Sequence, residues 1–216
     1  ATPMSIMVAS GRGATMGVLF RDAAAVENLR KVDTLVVDKT GTLTEGRPAF
    51  LRAIAAPGFD EEEVLRLAAS LDQGSEHPVA AAGERRIALA KADDFESGSG
   101  VGVRGRIGGR RLVLGNTVLM ESEGVAVASL APRAEALRRE GASVMHLAVD
   151  GTLAGLLAVA DPVKASTPDA LASLKAAGIR VVMATGDGHT TARAVAARLG
   201  IDEVHGEVKP ADKLAL

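Results

Sequence analysis

The run Thr34-Leu35-Val36-Val37, closed by Asp38-Lys39-Thr40-Gly41-Thr42-Leu43-Thr44, constrains the fold more than any other stretch of the chain. An unbroken β-branched and apolar run reads as a strand buried on both faces, the habit of parallel sheets, and here it ends on a carboxylate. The C-terminal ends of parallel strands face the crevice where open α/β sheets bind ligands, so Asp38 stands where chemistry is done. A lone aspartate after such a run is more often just a turn former. Its neighbours favour a site: Lys39 adds positive charge, Gly41 lets the backbone approach an anion, and Thr40, Thr42 and Thr44 offer hydroxyls to phosphate oxygens.

The same grammar returns far downstream. Residues 168–177 have helical spacing, Gly178 ends them, and a strand over 180–184 leads into the turn Thr185-Gly186-Asp187-Gly188 and a helix from about residue 190 to 199. Between the two lie a helix over 61–73 with Asp60 as its N-cap, and Gly-punctuated alternation over 98–114 and 144–159 that predicts antiparallel hairpins. A parallel α/β unit thus opens at residue 32, is left for a mixed region, and is re-entered near Asp161. Insertions of that size fall in loops at strand ends. Before residue 32, Gly11-Arg12-Gly13 is expected to break the first segment, with an extended piece over 17–20 and a helix over 23–29. His189 is expected near the phosphate edge and His205 in a loop, neither with a catalytic role.

Composition narrows the partners. A net charge of −2 and four Phe without Trp or Tyr give neither a phosphate-tracking surface nor stacking platforms, so nucleic acid is not an expected partner. There is no Cys, hence no disulfide or thiolate metal site within the 216 residues, and a reducing setting fits. The apolar stretch over 3–8 is far too short to span a bilayer. Abrupt ends, without an initiator Met and within an apparent helix at Lys213, read as those of a piece cut from something longer.

The seven residues from Asp38 to Thr44 resemble the phosphorylation motif of P-type ATPases. The resemblance implies an α/β fold: a haloacid-dehalogenase-like parallel-sheet phosphorylation domain at 32–46 and 158–216, an inserted α+β antiparallel-sheet nucleotide-binding domain at 47–157, and the cytoplasmic end of a membrane helix with its stalk at 1–31. Asp38 would be the nucleophile that becomes an aspartyl phosphate, ATP the donor, and the Asp38 carboxylate with the Thr40 carbonyl the protein ligands of Mg²⁺. Thr185, Gly186 and Asp187 match the second phosphate-contacting motif. Lys213, three residues after Pro210, resembles the family lysine that neutralises phosphoryl charge, with Lys209 the decoy. Asp161-Pro162-Val163-Lys164 matches the re-entry motif and would act as a hinge, Asp161 tying the loops together. The family's Gly-Asp-Gly-x-Asn-Asp motif, whose first Asp completes Mg²⁺ coordination, has no match in these residues.

Ser75-Glu76-His77-Pro78, then Gly98 and Gly100, then Gly115-Asn116, resemble in their order the nucleotide site of the heavy-metal-transporting subfamily. There His77 would contact the adenine or orient its loop, Glu76 would stand beside it, and the glycines would admit nucleotide against backbone. Asp72 stands where many members carry Glu, one methylene longer. The segment over 1–8 looks like that following the Cys-Pro-Cys membrane motif of copper pumps, which points to Cu⁺ as cargo, with Zn²⁺ or Cd²⁺ as the alternative. The implied setting is the cytoplasmic face of a membrane, in an integral membrane protein with its own actuator and transmembrane domains. A soluble phosphatase of the same fold typically carries a second Asp where Thr40 stands, and a non-catalytic nucleotide sensor would have no use for Asp38, Thr185 and Lys213 together.

Overall fold

The computed structural model describes residues 2–74, 88–98 and 100–215. Helices α1 (Thr2–Thr15) and α2 (Ala23–Leu29) come first. α1 runs through Gly11 and Gly13, where the sequence predicts a break, because a helical glycine costs only about 1 kcal/mol relative to alanine. Gly13 has a packing reason instead: a Cβ there would lie 2.6 Å from Phe20 Cε2. Residues 18–20 are irregular rather than strand. Among the described residues no helix is long and apolar enough to cross a membrane.

β1 (Thr34–Asp38) is followed by excursion into a second sheet. That sheet holds β2 (Ala49–Ala55), β3 (Asp93–Gly98), β4 (Gly102–Ile107), β5 (Arg110–Gly115), β6 (Ser143–Val149) and β7 (Thr152–Ala160). They form antiparallel pairs in the order β2-β7-β6-β5-β4-β3. The chain then returns: β8 (Arg180–Ala184) pairs in parallel with β1, and β9 (Glu203–His205) in parallel with β8. His205 is therefore in a strand, not in a loop. β3 begins five residues before the predicted alternation because it is a charged, mostly exposed edge strand that apolar periodicity cannot register.

Both faces of the six-stranded sheet are covered. On one, α3 (Glu61–Leu71), capped by the Asp60 carboxylate on Glu63 N–H at 2.7 Å, buries Val64, Leu67 and Leu71 against Leu112, Leu147 and Leu157. On the other, α4 (Thr117–Ser122) and α5 (Ala131–Arg139) pack Leu119, Met120 and Leu137 against Val113, Ala148 and Leu156. Each fully buried Leu contributes roughly 1.5–3 kcal/mol, which fixes the register of β5, β6 and β7 from both sides. Under the parallel sheet, α6 (Thr167–Ala176) and α7 (His189–Leu199) enclose a smaller core with Leu43, Met183, Ala192 and Ile201. The crossovers β1 to β8 and β8 to β9 thus leave Asp38 and Thr185 side by side at the C-terminal edge, since Asp38 is in register with Ala184.

Candidate active site

Asp38 closes β1, and its side chain is 40% exposed. Lys213, in the short turn Pro210–Ala215, donates from Nζ to Asp38 Oδ1 at 2.7 Å, across 175 residues of sequence. Lys209 has no such contact. Beyond Asp38 the residues Lys39–Leu43 wind into a tight turn in which Thr40 is extended and Gly41 has φ 77°, a left-handed value that glycine adopts without strain. Thr40 and Gly41 are exposed at its outer side.

Lys39 points the other way. It is 6% exposed and pairs with Asp187 Oδ2, so its charge is a buried strut rather than a free cation. Thr185 is 2% exposed; its hydroxyl hydrogen-bonds Asp187 Oδ2 and accepts from Asp187 N–H, both at 3.2 Å. Gly186 is exposed, and a Cβ there would find only Val208 O at 3.9 Å among the described residues. The structure therefore brings Asp38, Lys39, Thr185, Gly186, Asp187 and Lys213 to one sheet edge.

The re-entry segment holds that loop in place. The Thr44 hydroxyl, fully buried, lies between Lys39 O at 3.0 Å and Asp161 Oδ2 at 2.5 Å, and Asp161 also accepts from Gly46 N–H and Arg47 N–H, each at 3.1 Å. Lys164 Nζ donates to Gly41 O at 2.6 Å, and Thr167 Oγ1 to Leu43 O at 2.7 Å. The contact of Lys164 with the turn after Asp38 was not legible in the sequence, where only its motif stood out.

The nucleotide candidates lie in the other unit. Gly98 ends β3, Gly100 follows with φ 76° and open space around a notional Cβ, and Asn116 Nδ2 reaches Gly100 O at 3.3 Å. Asn116 also caps α4 through Leu119 N–H at 3.0 Å. Gly115 has a structural reason: its Cβ would lie 2.2 Å from Val101 O, so β4 and β5 could not approach as they do. Asp72 is buried at the C-terminal end of α3. Glu76 and His77, with Ser75 and Pro78, lie outside the described residues. Next to Gly115 in β6 is His146, overlooked in the sequence because it carries no motif; it is 2% exposed and its pKa is pushed down to about 4, by burial first and by the Arg138 charge second.

A carboxylate at a strand end, a lysine on it and a Thr-Gly-Asp turn on the neighbouring strand define a class. The sequence model of haloacid dehalogenase-like hydrolases matches residues 32–216, and the chain belongs to that family. Within it, the chain is 50% identical over 221 residues to a silver-exporting P-type ATPase of Salmonella typhimurium, covering 100% of the chain and 27% of that protein. It is 49% identical over 218 residues to a copper-exporting P-type ATPase of Legionella pneumophila, covering 99% of the chain and 30% of that protein. Its fold matches the crystal structure of a zinc-transporting PIB-type ATPase in the E2.Pi state with a TM-score of 0.70 at 30% identity, over 99% of the chain and 35% of that structure. The chain thus spans less than a third of these curated relatives and resembles metal-exporting P-type ATPases along its whole length.

Proposed function

We propose that this chain is the ATP-binding and aspartyl-phosphorylating part of an ATP-driven transition-metal pump, with Cu⁺ as the cargo. Residues 32–46 and 158–216 act as the phosphorylation domain, 47–157 as the nucleotide-binding domain, and 1–31 as the link towards the membrane, at its cytoplasmic face. The observation that carries the reading is the Lys213 ammonium 2.7 Å from the exposed Asp38 carboxylate, beside the Thr-Gly-Asp turn of β8.

An Asp38 carboxylate oxygen attacks the γ-phosphorus of ATP; the bond from that phosphorus to the β,γ-bridging oxygen breaks, and ADP leaves with the electron pair. Lys213 balances charge on the transferring phosphoryl, and the amides of Gly186 and Asp187 lie at its edge. Mg²⁺ suits the donors present, since a hard cation takes few protein oxygens together with waters and phosphates, and the exposed Asp38 carboxylate and the exposed turn at Thr40 offer such oxygens. The Asp38 carboxylate and the Thr40 carbonyl would hold it, and it would supply positive charge to the phosphoryl group being transferred. Thr40 cannot deprotonate water as a carboxylate does, so the aspartyl phosphate persists until another part of the pump hydrolyses it. This argues against a soluble phosphatase, and the assembled acceptor site argues against a mere nucleotide sensor.

ATP is taken up by the nucleotide-binding domain, with Gly98 and Gly100 admitting it against backbone, Asn116 fixing their turn, and Asp72, Glu76, His77 and Gly115 around it. The copper and silver specificities of the curated relatives support a monovalent soft cation, bound in membrane segments beyond these residues. Zn²⁺ is the second reading, favoured by the zinc-transporting fold neighbour. In the full-length protein, Asp38→Asn is expected to abolish a hydroxylamine-sensitive phosphoenzyme and leave ATP binding intact. Undiminished labelling from γ-labelled ATP would overturn the assignment, and labelling that depends on Zn²⁺ but not Cu⁺ would replace the cargo.

A further inference from the structure

Ser143, the first residue of β6, lies in the six-stranded unit, yet its hydroxyl donates to Asp187 Oδ1 at 3.2 Å. The other oxygen of that carboxylate takes the Lys39 ammonium and the Thr185 hydroxyl. Asp187 is therefore gripped by two groups of its own unit and one from the other, and Lys39 is bonded in sequence to Asp38. The contact has broad support, because the turn after α5 sits on α7. Thr191 Oγ1, buried, donates to Ala142 O at 2.9 Å, and Thr190 Oγ1 to Glu135 Oε1 at 2.9 Å. The Arg198 guanidinium donates to Glu140 O. Gly141, with φ 85°, turns the chain so closely over α7 that a Cβ on it would touch Val195 at 3.4 Å.

We infer that Ser143 is a positioning residue: it makes the seating of the nucleotide-binding domain on α7 felt at Asp187 and, through Lys39, at the turn that carries the nucleophile. The inference rests on the phosphorylation reading above. Its logic is that ATP reaches Asp38 only when the nucleotide-binding domain is seated, and only a seated domain completes the Asp187 hydrogen bonds. Inorganic phosphate, which forms the same aspartyl phosphate by reversal of its hydrolysis, carries no nucleoside and makes no demand on that seat. Ser143 should therefore matter for one donor and not for the other.

The test uses the full-length pump. In Ser143→Ala, labelling of Asp38 by saturating ATP should slow about tenfold, the scale of a lost hydrogen bond to a charged group. ATP affinity and labelling by inorganic phosphate with Mg²⁺ should each stay within about twofold, on the same scale. Ser143→Thr, which keeps the hydroxyl, should restore most of the rate. Glu135→Ala loosens the seat at Thr190 without touching Asp187, and should reproduce the selective loss more weakly. An unchanged rate from ATP in Ser143→Ala, or equal losses with both donors, overturns the inference while leaving the phosphorylation reading intact. Wild-type protein that takes no label from either donor removes that reading, and the inference falls with it.

Discussion

Lys39 follows Asp38 in sequence but pairs with Asp187, whereas Lys213 reaches Asp38 in space, and burial divides their work. Lys39 is 6% exposed and paired with Asp187, so its removal strands a partly buried carboxylate; Lys39→Ala should cost about 3 kcal/mol in urea unfolding of this chain. The Lys213 side chain is 29% exposed, so Lys213→Ala should cost under about 1 kcal/mol yet, on the proposed function, slow phosphoenzyme formation in the full-length protein about 100-fold or more. A Lys213→Ala variant that unfolds easily but labels normally would reverse these roles. The sequence distinguished Lys213 from Lys209 by spacing alone, but it could not tell that Lys39 turns inward, because burial is decided by β8 arriving from far along the chain. His146 adds a pH dependence of the same residue scale. Its folded pKa of about 4 lies below the usual 6.5, so the unfolded chain binds the extra proton between those values. Its contribution is complete above about pH 6.5 and is lost as pH falls towards 4, by up to about 3 kcal/mol. The stability difference between His146→Phe and wild type, measured by urea unfolding across that range, should therefore change in favour of the variant as pH falls; a constant difference would contradict the buried neutral imidazole.

Elements were legible where an apolar period or a stop residue marks them. The β-branched runs gave away β1 and β8, and the Asp60 cap and its Glu-rich first turn gave away α3. Glycine as a stop signal predicts a break where α1 is continuous, because Gly13 is needed for the contact with Phe20 rather than for a turn. β3 was missed at its start because its residues face solvent and carry charge. The glycines of the β3–β5 region differ in the same manner, and mutation should separate them. Gly115→Ala drives a Cβ into Val101 O at 2.2 Å, so it should destabilise the chain by about 3 kcal/mol or more, with nucleotide binding lost along with the fold. Gly100→Ala meets no atom within 4 Å and bears only the strain of φ 76°, about 1–2 kcal/mol. If Gly100 lies against nucleotide, the variant should remain folded by circular dichroism and bind ATP at least about tenfold more weakly by calorimetry. Unchanged affinity would return Gly100 to a turn residue.

At the scale of the whole molecule, the return of parallel-strand grammar after residue 160 revealed that one unit is interrupted by another. How the two units touch was not legible, since Ser143 opens β6 and Asp187 lies 44 residues on, in the aperiodic turn after β8. The division predicts that binding and turnover separate in these 216 residues taken alone. The nucleotide candidates lie in a six-stranded sheet whose two faces are closed by its own helices, so that unit has a core independent of the parallel sheet, and ATP should bind saturably. Turnover asks for more than the acceptor. The Gly-Asp-Gly-x-Asn-Asp motif implied by the P-type resemblance has no match in the sequence, so the proposed Mg²⁺ site would rest on Asp38, Thr40 and water. An actuator loop that activates water, and membrane ligands whose occupancy by metal triggers phosphorylation, belong to the same implied machinery and to none of these residues. Calorimetric titration with ATP, followed by a phosphate-release assay with and without Cu⁺, should therefore give binding without copper-stimulated release. Release that rises with Cu⁺ would mean that the metal acts on this part directly, and the partition of labour between acceptor, actuator and membrane would have to be redrawn.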